Sequence, residues 1–135
     1  MTKENWAVAW KRLNSYFRQA KLIVDGYEIT LEMQTLKDGF HRAILVYVDG
    51  YFKGEWLVKD CEERRRFMPQ KEVSAMSRKQ IAKFNALPKR MQKELQEYRD
   101  QKVVQYATHW TSWNALIKHF EANNQEIRLC DETEV

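Results

Sequence analysis

Three Asp-Gly pairs, Asp25-Gly26, Asp38-Gly39 and Asp49-Gly50, punctuate the first half of a chain that holds only four glycines. Asp-Gly tolerates the positive φ that tight hairpin turns require, so this spacing predicts a meander of short antiparallel strands. The stretch "YEITLEMQ" alternates cleanly. Tyr27, Ile29, Leu31 and Met33 face one way, and Glu28, Thr30, Glu32 and Gln34 the other. "AILVYV", residues 43–48, is apolar on both faces and reads as the central strand, covered above and below. "YFKGEWLV", residues 51–58, alternates again, with Phe52, Trp56 and Val58 on the buried side and Tyr51, Lys53 and Glu55 outside.

Helical spacing brackets the meander. In "TKENWAVAWKRLNSYFRQA" the residues Trp6, Ala9, Trp10, Leu13, Tyr16, Phe17 and Ala20 recur at i, i+3, i+4, with Thr2 placed to cap the start. Those tryptophans read as core. After "MPQKE", which breaks regular structure, Ser77 caps "SRKQIAKFNAL", and Pro88 opens a helix over "PKRMQKELQEYRDQK" at its favoured first position. Thr111 or Ser112 caps "TSWNALIKHFEANN", which Asn123-Asn124 can end in a left-handed turn. "EIRLC" is a short strand closing on a sheet edge, and the acidic "DETEV" frays. The reading is one α+β domain over residues 1–135. It has an N-terminal helix, a three-stranded antiparallel meander, two or three helices and a short C-terminal strand, with helices on one face of the sheet.

Composition narrows the class. An apolar fraction of 44% and five tryptophans in 135 residues suffice for a core without staples. The longest apolar run is too short to cross a bilayer and no signal peptide appears, so no membrane is expected and the setting is the host cytoplasm. Cys61 and Cys130 have no metal spacing and read as two thiols in a reducing compartment. His41, His109 and His119 form neither HxH nor HExxH, and no P-loop, GxSxG or GxGxxG occurs. No enzymatic activity and no cofactor are expected.

The charge is unevenly spread. Residues 1–58 net +1, residues 59–102 net +6 and residues 103–135 net −3, and residues 73–93 carry six cations and no acid. Arg64, Arg65 and Arg66 stand side by side in "CEERRRF", followed by Lys71, Arg78, Lys79, Lys83, Lys89, Arg90 and Lys93. Lysine offers a point charge and arginine a bidentate fork to phosphate, so these residues are the candidate contacts for nucleic acid or an acidic protein. Against this stands a plain alternative, in which Glu62 and Glu63 pair locally and the lysines solvate helix faces.

The order helix, meander, helix, with its lysine-rich helix start, superficially resembles the double-stranded-RNA-binding domain. The loop over residues 58–77 is longer than in that family, and its glycine-rich approach to the helix is missing. "CEERRRF", "LPKRMQKEL" and "HWTSWNALIKHFEANNQEI" together resemble a family of small phage and prophage proteins of Gram-positive bacteria with no assigned activity, over at least residues 6–127. That resemblance implies a non-enzymatic accessory protein binding a host protein or ribonucleoprotein such as a CRISPR effector nuclease, as an anti-CRISPR-type inhibitor. Direct binding to DNA or RNA through residues 64–93 is the alternative.

Overall fold

Asp25-Gly26 makes the first hairpin turn, with both residues at positive φ (46° and 88°), the signature of a two-residue turn matched to strand twist. It joins β1 (Gln19–Val24) to β2 (Tyr27–Thr35), and a longer loop carries the chain into β3 (Arg42–Val48) in the computed structural model, which describes residues 1–130. Asp49-Gly50 also turns at positive φ (50° and 84°), but the returning chain makes only a single bridge, Tyr51 to Val48. A 3-10 turn over Gly54–Leu57 follows and plants Trp56 in the core, while Val58 is exposed.

The third meander strand is therefore not "YFKGEWLV". It is β1, which lies before the first turn. The helical spacing that runs on through Tyr16, Phe17 and Ala20 is coincidental. Helix α1 (Lys3–Leu13) stops at Asn14, whose side chain donates to the Trp10 carbonyl, and Arg18 adopts φ 55° to redirect the chain. Ala20, Leu22 and Val24 are then buried at strand period, and Tyr16 and Phe17 are left in solvent.

The five strands order as β6-β3-β2-β1-β7, with β6 spanning His109–Trp110 and β7 Ile127–Leu129. The central strand is thus β2 and not residues 43–48, although Ala43, Ile44, Leu45, Val46 and Val48 are all buried. Register stacks Ala20, Leu31 and Val46 in one row and Leu22, Ile29 and Val48 in the next. Trp6, Ala9 and Leu13 of α1, Phe67 of α2 (Glu62–Phe67), and Leu116 and Phe120 of α6 (Trp113–Asn123) join those rows in one core. Burying each large apolar side chain contributes roughly 1.5–3 kcal/mol, so these rows carry most of the cohesion. Ser112 caps α6 by accepting the Ala115 amide, as its sequence position predicts. The helix ends without a left-handed turn, since Asn124 is extended (φ −137°) and its side chain donates to the Phe120 carbonyl instead.

Residues Gln70–Gln105 form a compact unit of their own, the remainder of the chain forming the other. Its two-stranded sheet pairs β4 (Gln70–Ser74) with β5 (Lys102–Tyr106). So "MPQKE" does not simply break structure, since its last residues begin a strand. Between the strands lie α3 (Arg78–Asn85), α4 (Lys89–Glu94) and α5 (Gln96–Asp100). Ser77 and Gln80 close a full capping box on α3. The helix expected from Pro88 breaks at Leu95 (φ −103°, ψ 8°), and Pro88 itself stands one residue before the helix. Phe84 is the only buried hydrophobic residue of this unit. Residues "DETEV" lie outside the described part of the chain.

Candidate nucleic-acid interface

The arginine triplet is not a bend between a strand and a helix. Arg64, Arg65 and Arg66 are the last turn of α2, with Glu62 and Glu63 in its first, an arrangement that complements the helix dipole at both ends. Successive helical residues point about 100° apart, so three neighbours cannot share a face. Each arginine goes its own way.

Arg66 is fully engaged. Its guanidinium donates to Asp25 at 2.7 Å, to Glu62 at 2.7 Å and to the Asn124 side chain at 3.1 Å, and lies over the Tyr27 ring. Asp25 also accepts the amides of Gln125 and Glu126, and these, followed by Arg66, hold its carboxyl below the ordinary value. Arg64 stacks on the Tyr106 ring, 4.2 Å from its centroid, with its side chain only 16% exposed. Its Nε lies 3.4 Å from Asp60 without hydrogen-bond alignment. Arg65 is the most exposed of the three, its side chain 60% exposed, although its Nε donates to the Cys61 carbonyl and lies 3.4 Å from Asp60. The backbone beneath it is pinned, because His119 Nε2 donates to the Arg65 carbonyl while Nδ1 accepts from Asn123. Burial lowers the His119 pKa and outweighs that carbonyl, so the ring is neutral near pH 7.

The remaining candidates, Lys71, Arg78, Lys79, Lys83, Lys89, Arg90 and Lys93, all belong to residues 70–105 and all are exposed. This unit holds nine Lys/Arg against four Asp/Glu, a net of +5, whereas the other unit holds fourteen against fifteen, a net of −1. The excess positive charge of the protein therefore resides in these 36 positions. Among the described residues no ion pair involves a cation of this unit. Lys79 and Lys83 lie one turn apart on α3. Arg99 and Lys102, absent from the candidates that the sequence suggests, line an open cavity of about 450 Å³ with Ser74, Ile81 and Asp100. Both fall inside the basic block of the sequence, and the charge count alone points to them. Met91, Tyr98, Val103 and Val104 are exposed on the same unit.

Among the described residues no three His, Cys, Asp or Glu side chains are placed to hold a metal ion, and no helix is long and apolar enough to cross a membrane. Cys130 is buried and Cys61 half-buried. Comparison with protein-family models, curated proteins and solved structures finds no match for this chain.

Proposed function

We propose that the protein is a non-enzymatic accessory protein that binds nucleic-acid machinery through residues 70–105, as an inhibitor of host defence of the anti-CRISPR type. The observation that carries this reading is the charge partition, +5 in one small unit and −1 in all the rest. Cations with no internal carboxylate partners keep their field available to an external anion, and a clustered field speeds encounter with an oppositely charged surface. The apolar side chains exposed on the same unit, Met91, Tyr98, Val103 and Val104, suit a protein contact more than a purely phosphate one. The target is then an acidic patch on a host protein, or a ribonucleoprotein such as a CRISPR effector nuclease.

The second reading is direct binding of DNA or RNA by the same unit. It is favoured by Lys79, Lys83, Lys89 and Lys93, which are exposed point charges suited to phosphate. A pull-down from host lysate, with and without nuclease, separates the two. A protein partner that survives nuclease supports inhibition by protein contact. Loss of every partner on nuclease treatment transfers the function to nucleic acid, and no partner in either arm removes both.

A further inference from the structure

Among the described residues the three most exposed large hydrophobic side chains are Tyr16 (94%), Phe40 (90%) and Phe17 (81%). All three are aromatic, and the fold brings them to one end of the five-stranded sheet. Tyr16 and Phe17 sit in the turn that enters β1, whose first residue, Gln19, pairs with Glu32 near the end of β2. Phe40 sits in the loop that leaves that same end of β2 for β3, where Thr35 pairs with Arg42. The turn before β1 is tied to the end of β2 from which the second loop leaves, since the Met33 amide donates to the Arg18 carbonyl.

Local contacts hold both loops. The Asp38 carboxylate accepts the amides of Phe40 and His41 and contacts the His41 ring. Tyr16 and Phe17 brace each other edge to face at 5.7 Å. A stacking surface needs rings held in solvent without a long flexible stem, and both loops meet that need. Exposed cations flank them, Arg18 and Lys37 on the two loops and Arg42 at the start of β3. The one acid on these loops, Asp38, is occupied by its own loop.

From this we infer that the sheet end formed by residues 14–18 and 36–42 binds single-stranded polynucleotide, with bases stacking on Tyr16, Phe17 and Phe40 and phosphates meeting Arg18, Lys37 and Arg42. Stacking on aromatic side chains tolerates any base because every base has a π face, and a cationic border tracks the backbone. A bilayer surface would take aliphatic side chains at these tips equally well, and none is exposed there. The site belongs to the first unit and uses none of residues 70–105.

The test uses fluorescence anisotropy of the full chain with labelled oligothymidine, oligouridine and a duplex. The wild type should prefer one of the single strands to the duplex. The variant Tyr16→Ala/Phe17→Ala/Phe40→Ala, which removes only exposed rings, should lose about tenfold or more in single-strand affinity at an unchanged melting temperature. Phe17→Trp and Phe40→Trp should retain binding and show indole quenching when a base stacks. Neutralising Lys79, Lys83, Lys89 and Lys93 should leave the preference for single strands intact, which separates this site from the other. Equal affinity of the wild type for single strand and duplex overturns the inference. So does an unchanged preference in the triple variant, or loss of phosphatidylserine-vesicle binding with oligonucleotide binding retained.

Discussion

The guanidinium of Arg66 meets the carboxylate of Asp25 at 2.7 Å, although 41 positions separate them in the chain. Asp25 is the first residue of the β1–β2 turn and Arg66 the fifth of α2. Asn124, just past α6, meets both the side chain of Arg66 and its backbone carbonyl. One arginine thus locks a hairpin tip, a helix and a helix end together.

That lock distinguishes Arg66 from its neighbour. Arg66→Ala should lower the melting temperature by roughly 3–8 °C, because it strands Asp25 and frees α2. Arg65→Ala should shift it by less than about 1 °C, its side chain being largely solvated. Differential scanning calorimetry of both variants decides the matter, and equal small shifts would make Arg66 another solvated cation.

Acid should weaken the fold in two steps. His119 is held below its ordinary value of 6.5 by burial, so its contribution is present above that pH and is lost as pH falls through the lower folded value. Asp25 is held below 3.8 by the amides of Gln125 and Glu126 and then by Arg66, so its contribution is lost lower still, as its carboxylate protonates. Denaturant midpoints measured from about pH 7.5 to about pH 2.5 should show both declines. His119→Gln should flatten the first and Asp25→Asn the second, since asparagine keeps the turn's positive φ but carries no charge.

The part of this fold that is legible in sequence is the part ruled by short-range chemistry. Asp25-Gly26 forces a turn, Ile29, Leu31 and Met33 alternate, and Ser77 and Ser112 cap the helices they precede. What misleads is apolar residues whose spacing suits two structures. Tyr16, Phe17 and Ala20 continue the α1 stripe on paper, yet Arg18 turns the chain and only Ala20 is buried. "YFKGEWLV" alternates like a strand, but after one bridge the partner edge of β3 is taken by Trp110 and His109. The same holds for the candidate site. Charge counting finds a basic block over residues 59–102, but the fates of Arg64 and Arg66 within it depend on Tyr106, Asp25 and Asn124, which are distant in sequence.

The middle of the sheet is set by register, and the most sensitive position should be Leu31. It is fully buried on β2, between Ala20 and Val46. Leu31→Asp should abolish cooperative folding, since an unpaired buried charge costs several kcal/mol, comparable to the whole stability of a small domain. A soluble variant with a sharp melting transition would contradict this placement of β2.

Phe84 is the anchor of residues 70–105, lying beneath the Arg99 guanidinium at 5.5 Å. Truncating a buried phenylalanine costs about 3–5 kcal/mol, and this unit has no second buried hydrophobic side chain to compensate. Phe84→Ala should therefore erase hydrogen-exchange protection across α3 while β2 and α6 retain theirs. Uniform loss across the chain, or none, would contradict a single-residue anchor.

The charge of that unit gives the last prediction. Changing Lys79, Lys83, Lys89 and Lys93 to alanine removes no ion pair among the described residues, so the fold should survive. It relieves like-charge repulsion at 79/83 and 89/93, each worth about 0.2–0.5 kcal/mol. With duplex DNA as partner, the log–log salt slope should flatten by about 0.9 for each phosphate no longer neutralised, ~3–4 units for all four. With an acidic protein as partner, the association rate and its salt dependence should fall while dissociation barely changes, because these lysines are exposed point charges without internal ion pairs among the described residues. The variant with Arg64, Arg65 and Arg66 all changed to alanine should behave differently. It should lose stability through Arg66 and the Arg64–Tyr106 stack before binding can be compared. If the four-lysine variant keeps both its affinity and its salt slope, those lysines are solvated helix faces, and the polyanion must bind elsewhere on the molecule.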